Sequence, residues 1–168
     1  PLASHGGTPT YLDVTAEVKA AIARSGITTG TCTVISPHTT CAVFFEEFVH
    51  DRFEDGTEFL QADLDDVLNR IAPNQTAVPP EGEYRYPGPE HYADVESWPD
   101  AEVYLPGGDK TALLNAEAHI KATILGSSEV FAVIDGKLGV GVTGYIYFVD
   151  FDRTRARSRK CQVVVMGE

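Results

Sequence analysis

The sequence predicts an α+β fold, a compact sandwich-like pair of sheets carrying two to three helices, in a single domain over residues 1–168. Three observations predict it. The strand-like runs mostly neighbour one another along the chain instead of alternating with helices, which argues against a doubly wound parallel sheet. Two stretches carry apolar residues at helical spacing on one face only. With 168 residues, 43% of them hydrophobic, the chain can bury one good core and has no need of a second. No internal repeat interrupts this organisation.

The first helix is predicted over 14–25, where Val14, Val18, Ala21 and Ile22 share a face. Asp13 or Thr15 can cap its start, and Gly26 can end it. Thr31 to Ile35 is β-branched and stops at Pro37, and Cys41 to Phe45 is apolar and aromatic. Each reads as a buried strand beside the polar corner His38-Thr39-Thr40. Leu60, Leu64, Val67, Leu68 and Ile71 mark a second helix, with Thr57 as N-cap and Pro73 past its end; it should pack on the sheet.

Residues 72–111 hold most of the prolines and many glycines without a clear period, so a long loop is expected there, of the kind that more often serves function than not. Asn115 can cap a short helix that runs through His119 and stops at Gly126. Val130 to Ile134, the Asp135-Gly136 turn and Leu138 to Phe151 read as a hairpin, since Asp-Gly supplies the positive φ angles of a tight turn. Gln162 to Met166 is the last strand.

Net charge is −12, from 25 acidic against 13 basic side chains. Nucleic acid and anionic membrane surfaces are therefore poor partners, because the long-range term is repulsive. Cys32, Cys41 and Cys161 are odd in number and lack metal-type spacing, which suits reduced thiols in a cytoplasmic protein. No run reaches the roughly 18 apolar residues of a membrane helix, and no secretory pattern opens the chain. Neither a dinucleotide-type Gly-x-Gly-x-x-Gly nor a Walker-type Gly-Lys-Ser/Thr is present.

The residues that carry chemistry are dispersed histidines. His38 stands in Ser36-Pro37-His38-Thr39-Thr40, His119 in Ala118-His-Ile-Lys, and His91 in the long loop. Imidazole and carboxylate are the ligands of zinc and similar metals, so His38, His91 and His119 with Glu47 are a candidate metal set. Against this, a single histidine beside a strand is more often a hydrogen-bonded structural residue. Thr39, Thr40, Ser127 and Ser128 are short hydroxyl donors suited to phosphate or metal-bound water, or equally to capping turns. Glu46, Glu47, Asp51, Glu54, Asp55 and Glu58 form an acidic stretch able to hold a cation or provide a general base, although for most of these residues a solvated loop is the favoured reading.

Arg153, Arg155, Arg157 and Arg159 alternate, and an extended segment would project them from one face. Guanidinium forks match phosphate. Pairing with acidic residues of the same or a neighbouring subunit is the favoured reading. Cys41 follows the His-Thr-Thr corner but sits in an apolar strand, which favours a buried thiol over a nucleophile.

The order Tyr11-Leu-Asp-Val-Thr-Ala-Glu-Val, Gly30-Thr-Cys-Thr-Val-Ile-Ser-Pro-His-Thr-Thr, Glu46-Glu47, Asp63-Leu64, Ala118-His-Ile-Lys, Leu125-Gly-Ser-Ser and Asp135-Gly-Lys-Leu resembles the YjbQ-like family, also called the secondary thiamine-phosphate synthase family. The resemblance covers nearly all of the chain outside the long loop. It implies an α+β sandwich assembled as a homotrimer, polar motifs gathered in a cleft, weak thiamine-phosphate synthase activity and an unsettled physiological role.

The sequence departs from the family pattern in places. Glu46-Glu47-Phe48 stands where Asn-Glu-Asn is usual, His50-Asp51 where Asp-Pro is usual, and Gly141-Val142-Thr143-Gly144 where Gly-Thr-Trp-Gln is usual. The family's Tyr-x-His position falls either on Tyr86, within Tyr84-Arg85-Tyr86, or on His91, and we take His91.

The expectation is a small cytoplasmic enzyme using His38, Glu47 and His119 as catalytic residues and Thr39, Thr40, Ser127 and Ser128 as binding residues. His38, His91 and His119 would hold a divalent metal, zinc or magnesium, and the substrate would be a small molecule carrying phosphate. The alternative is a non-catalytic trimer that binds a metal or small ligand.

Overall fold

The structure, a computed structural model, describes all of residues 1–168. In chain order the elements are β1 (Leu2–Ser4), β2 (Thr10–Asp13), α1 (Thr15–Ser25), β3 (Thr29–Ile35), β4 (Cys41–Glu47), α2 (Phe59–Ile71), α3 (Pro89–Glu96), α4 (Ala101–Tyr104), α5 (Ala116–Leu125), β5 (Ser128–Ile134), β6 (Lys137–Leu138), β7 (Gly144–Asp150), β8 (Arg157–Arg159) and β9 (Gln162–Gly167). All strand pairs are antiparallel. They form a four-stranded sheet β6-β5-β3-β9, a three-stranded sheet β2-β7-β4 and a two-stranded ribbon β1-β8. The α+β sandwich expected from the sequence is the fold observed.

The two larger sheets face one another across the main core. Cys32, Val34, Phe131 and Val133 point inward from the four-stranded sheet, and Cys41, Val43, Ile146 and Phe148 meet them from the three-stranded one. Helix α1 adds Val18 and Ile22 to this core. Each buried valine, isoleucine or phenylalanine among them stabilises the fold by roughly 1.5–3 kcal/mol. The opposite face of the three-stranded sheet carries Ala42, Phe44, Tyr147 and Val149, which pack with Leu68 of α2 and with Ala118 and Ala122 of α5. That sheet is thus a middle layer, covered on both sides. This is why Ile146 to Val149 is continuously apolar rather than alternating.

The two amphipathic helices form where expected. Asp13 Oδ1 accepts from the Thr15 amide at 2.9 Å, and Gly26 closes α1 at φ 73°. On α2 the cap is Glu58 rather than Thr57. Its carboxylate takes the first-turn amide while Gln61 reaches back to the Glu58 amide. The same carboxylate also accepts from the Tyr147 hydroxyl, so a cap and a core hydrogen bond compete for one residue and threonine is too short to make both.

Two expectations are corrected. The arm Leu138 to Phe151 is not one strand: only Lys137–Leu138 returns along β5, and β7 then joins the other sheet. Gly139 and Gly141 interrupt the arm, and Gly144 lies where any Cβ would collide with the Phe45 ring. Residues 72–111 are not a structureless loop either. They hold α3, α4 and two single-turn 3-10 segments, and Tyr92, Val95, Leu105 and Leu113 bury one another in a small core of their own. Helices of 8 and 4 residues are too short to reveal a period. Arg155 ties this lobe to the body, donating to the Val103 carbonyl at 2.6 Å and lying 5.0 Å above the Tyr104 ring.

Candidate functional site

The corner that carries His38 connects the two sheets of the sandwich. Pro37 ends β3, the Ser36 hydroxyl accepts from the His38 amide at 3.2 Å, and the His38 carbonyl accepts from the Cys41 amide that opens β4. His38 Nε2 in turn accepts from the Lys160 amide at 2.9 Å, which leaves the ring proton on Nδ1. Burial, and then the Arg159 charge, lower its pKa, so this imidazole is neutral at neutral pH.

His119 projects from the second turn of α5. Burial lowers its pKa as well, with Asp152 and the Thr39 backbone pulling the other way. Asn115 does not cap α5 with its side chain; it donates to Asp152 Oδ2 at 3.2 Å, while Gln75 accepts from the Ala116 amide. The long segment supplies two partners. His91 of α3 lies with its Nε2 3.0 Å from the Tyr86 hydroxyl, and the Tyr86 ring stands edge-on to His119 at 5.5 Å between centroids. Tyr86 and His91 therefore both occupy the site, and the choice between them that the sequence posed resolves into a hydrogen-bonded pair. Burial raises the Tyr86 pKa, keeping the phenol protonated.

His38, His91, His119, Tyr86, Asp152 and Arg157 line one cleft of about 320 Å³, closed on one side by Trp98 and Tyr104 of the helical lobe. Its back wall is a charge ladder. Arg157 pairs with Asp152 at 2.6 Å, and Arg159 makes a two-pronged pair with Asp150 at 2.6 and 3.0 Å. The arginine alternation seen in the sequence thus resolves into pairing within the chain, with Arg153 on Glu117 at 3.0 Å as its third rung. Two polar atoms on this wall, Arg157 Nε and Asn115 Oδ1, are buried with no protein partner, which is uncommon enough to need an explanation.

The remaining sequence candidates fall in different places. Thr39 lines the cleft. Thr40 lines it as well, though largely buried, and its hydroxyl accepts from Arg159 at 2.9 Å. Ser127 borders a separate groove beside His38, and Ser128 is exposed at the start of β5. Glu47 does not join the histidines. It ends β4 opposite Gly144 while Cys41 begins it opposite Asp150, and six strand steps of about 3.3 Å separate the two ends. Cys41 is a buried thiol pushed up to about 12 by burial, unsuited to nucleophilic attack.

The residues present do not fit the expected zinc or magnesium site. No three His, Cys, Asp or Glu side chains gather as a ligand group. The Nε2 atoms of His38 and His91 are already engaged by Lys160 and Tyr86. Sequence reasoning missed Asp152 and Trp98 as cleft residues, and weighed Arg157 as a phosphate group without placing it beside the histidines. The alternating arginines were the signal for Asp152, and a lone tryptophan inside a proline-rich stretch was the signal for Trp98.

No helix is long and apolar enough to cross a membrane. The family described as UPF0047 protein YjbQ-like matches residues 3–168. UPF0047 protein YugU of Bacillus subtilis is 27% identical over 160 residues, spanning 93% of this chain and 89% of the relative. A crystal structure of an uncharacterised conserved protein of the YjbQ/UPF0047 family from Clostridium acetobutylicum superposes with TM-score 0.64 at 26% identity, covering 98% of each chain. A hypothetical protein from Aeropyrum pernix shares the fold with TM-score 0.63 at 24% identity, covering 99% of this chain and 96% of its own. With a matching fold and a family match over almost its whole length, the chain belongs to the UPF0047, YjbQ-like family.

Proposed function

We propose that the chain is a small cytoplasmic enzyme that moves protons on a small phosphorylated molecule in the His38–His91–His119 cleft. The observation that carries this reading is the Tyr86–His91 hydrogen bond at 3.0 Å with the same Tyr86 ring set edge-on to a neutral His119. A neutral imidazole is a base, a buried phenol hydrogen-bonded to a second imidazole is an acid with a proton path behind it, and catalysis of this type needs both in one cleft. Arg157 and Arg159, which line the cleft, support a phosphate, since guanidinium geometry matches that anion. The three free thiols, Cys32, Cys41 and Cys161, support a reducing compartment.

The thiamine-phosphate synthase activity that the family resemblance implies is the second reading. It requires a departing pyrophosphate to be stabilised, which calls for a surplus of cationic groups. Here Arg157 and Arg159 are each shared with a carboxylate, so proton transfer stands first.

Trp98 is the only tryptophan and it borders the cleft, so its fluorescence reports on occupancy. Titration with inorganic phosphate is expected to give a saturable change, and Arg157→Gln to weaken it about tenfold or more. A flat titration would sink the phosphate reading.

The homotrimer is proposed as the working assembly. It is supported by the outer face of the four-stranded sheet, where Thr31, Val130, Ala132, Ile134, Val164 and Met166 are exposed and uncharged on an otherwise acidic chain. Light scattering is expected to return three chain masses, and Val164→Asp to release monomers. A wild-type monomer would contradict this.

A further inference from the structure

A second cavity, of about 480 Å³, shares Tyr86 and His119 with the histidine cleft and is otherwise lined by the Glu83-Tyr84-Arg85 strip, Ala116 and Ile120. Its aromatic walls are held in place. The Tyr84 hydroxyl donates to the Pro73 carbonyl at 2.5 Å, and the Tyr86 hydroxyl is tied to His91. With both phenols tethered, the rings present their faces and edges rather than their polar ends. Ala116 is too short to fill the space, and Ile120 leaves 40% of its surface exposed. Glu83 and Arg85 carry opposite charges, so the cavity has no net attraction for an ion.

Flat π-walls, an aliphatic side and cancelled charge match a planar apolar group. We propose that this second cavity is a subsite for an uncharged aromatic ring, so that a ligand with its ring there and its phosphate in the histidine cleft passes Tyr86 and His119 between the two. The ring subsite stands on the cavity alone; the bridging arrangement rests on the function proposed above. It places His119 next to the bond that joins ring and phosphate portions, where a neutral imidazole can act.

The test uses the whole protein with three probes: phenol as the ring alone, inorganic phosphate as the anion alone, and phenyl phosphate as both. Side-chain NMR signals of Tyr84 and His119 read the second cavity and Trp98 fluorescence reads the cleft. Phenol is expected to shift Tyr84 and His119 saturably. Phenyl phosphate is expected to bind about tenfold or more tighter than inorganic phosphate. Ile120→Phe, which fills the cavity from its exposed side and leaves Trp98 the only tryptophan, should remove that advantage and leave inorganic phosphate binding unchanged. Tyr84→Leu gives the same reading if the Ile120 variant loses its native spectrum. Absence of saturable shifts with phenol, or an advantage that survives both substitutions, overturns the ring subsite. If phosphate leaves Trp98 unmoved while phenol still saturates Tyr84, the phosphate reading falls and the ring subsite stands.

Discussion

Arg159→Ala is expected to cost about 3–5 kcal/mol of folding stability, because it strands a buried carboxylate. Asp150 is 1% exposed and Arg159 8%. Arg159 Nε and Nη2 both donate to Asp150, and Nη2 also donates to the Thr40 hydroxyl. Without the guanidinium, Asp150 keeps its burial penalty and loses its counter-charge. At a slope of about 2–4 °C per kcal/mol for a chain of this size, the melting temperature should fall by roughly 10 °C.

The pH dependence of the difference follows from Asp150. Burial alone would raise its pKa, but the Arg159 hydrogen bonds and charge prevail and the carboxyl sits below the usual range. A depressed carboxyl contributes stability that is present above its unfolded pKa of about 3.9 and is lost as pH falls through the folded value. In the alanine variant the same carboxyl is left buried and unpaired, so its pKa rises and it protonates readily. The stability gap between wild type and variant should therefore narrow as the solution is acidified. Urea unfolding at neutral and at mildly acidic pH measures both. A loss under 1 kcal/mol, or a gap that widens in acid, would show that the pair is not the anchor of the cleft wall.

The second large effect is expected at His119. If it is the proton acceptor, His119→Ala should lower kcat/KM on an accepted aryl phosphate by about 10²–10⁴, the usual span for a positioned acid or base. Its ring is half-buried and packs on Tyr86 rather than in either sheet core, so the fold should survive. Tyr86→Phe keeps the edge-on contact and removes the hydroxyl that meets His91, and should cost less than His119→Ala while altering the acidic partner's limb of the pH profile. In wild type the activity should fall with decreasing pH only below the ordinary imidazole pKa of about 6.5, because burial lowers the His119 value and the base stays free until then. Equal activity in His119→Ala and wild type would remove His119 from the chemistry.

Much of the fold was legible because its local signals agree with its packing. Val14, Val18 and Ile22 form a helical face that the sandwich buries, and Thr31 to Ile35 alternates as one side of a sheet does. The helical lobe was not legible, since α4 is a single turn and its residues gain their order from Tyr92, Val95, Leu105 and Leu113 meeting across proline-rich turns. Of the site, His38, His119 and His91 were found from their motifs, and the structure brings all three to one cleft. Glu47 lies away from the histidine cleft, because matching a motif in sequence fixes the strand but not which end of it meets the histidines. The pairing of Arg157 was anticipated from the alternating arginines, but its partner Asp152 and the place of both in the histidine cleft were not, because they depend on how the turn between β7 and β8 folds.

The most direct test of the central claim is an NMR titration of His119 across pH, with and without saturating inorganic phosphate. A working cleft predicts an imidazole that titrates below about 6.5 in the free protein, with phosphate moving its pKa upward because an adjacent anion favours the protonated ring. A His119 resonance that titrates at the ordinary value and does not respond to phosphate would contradict the account.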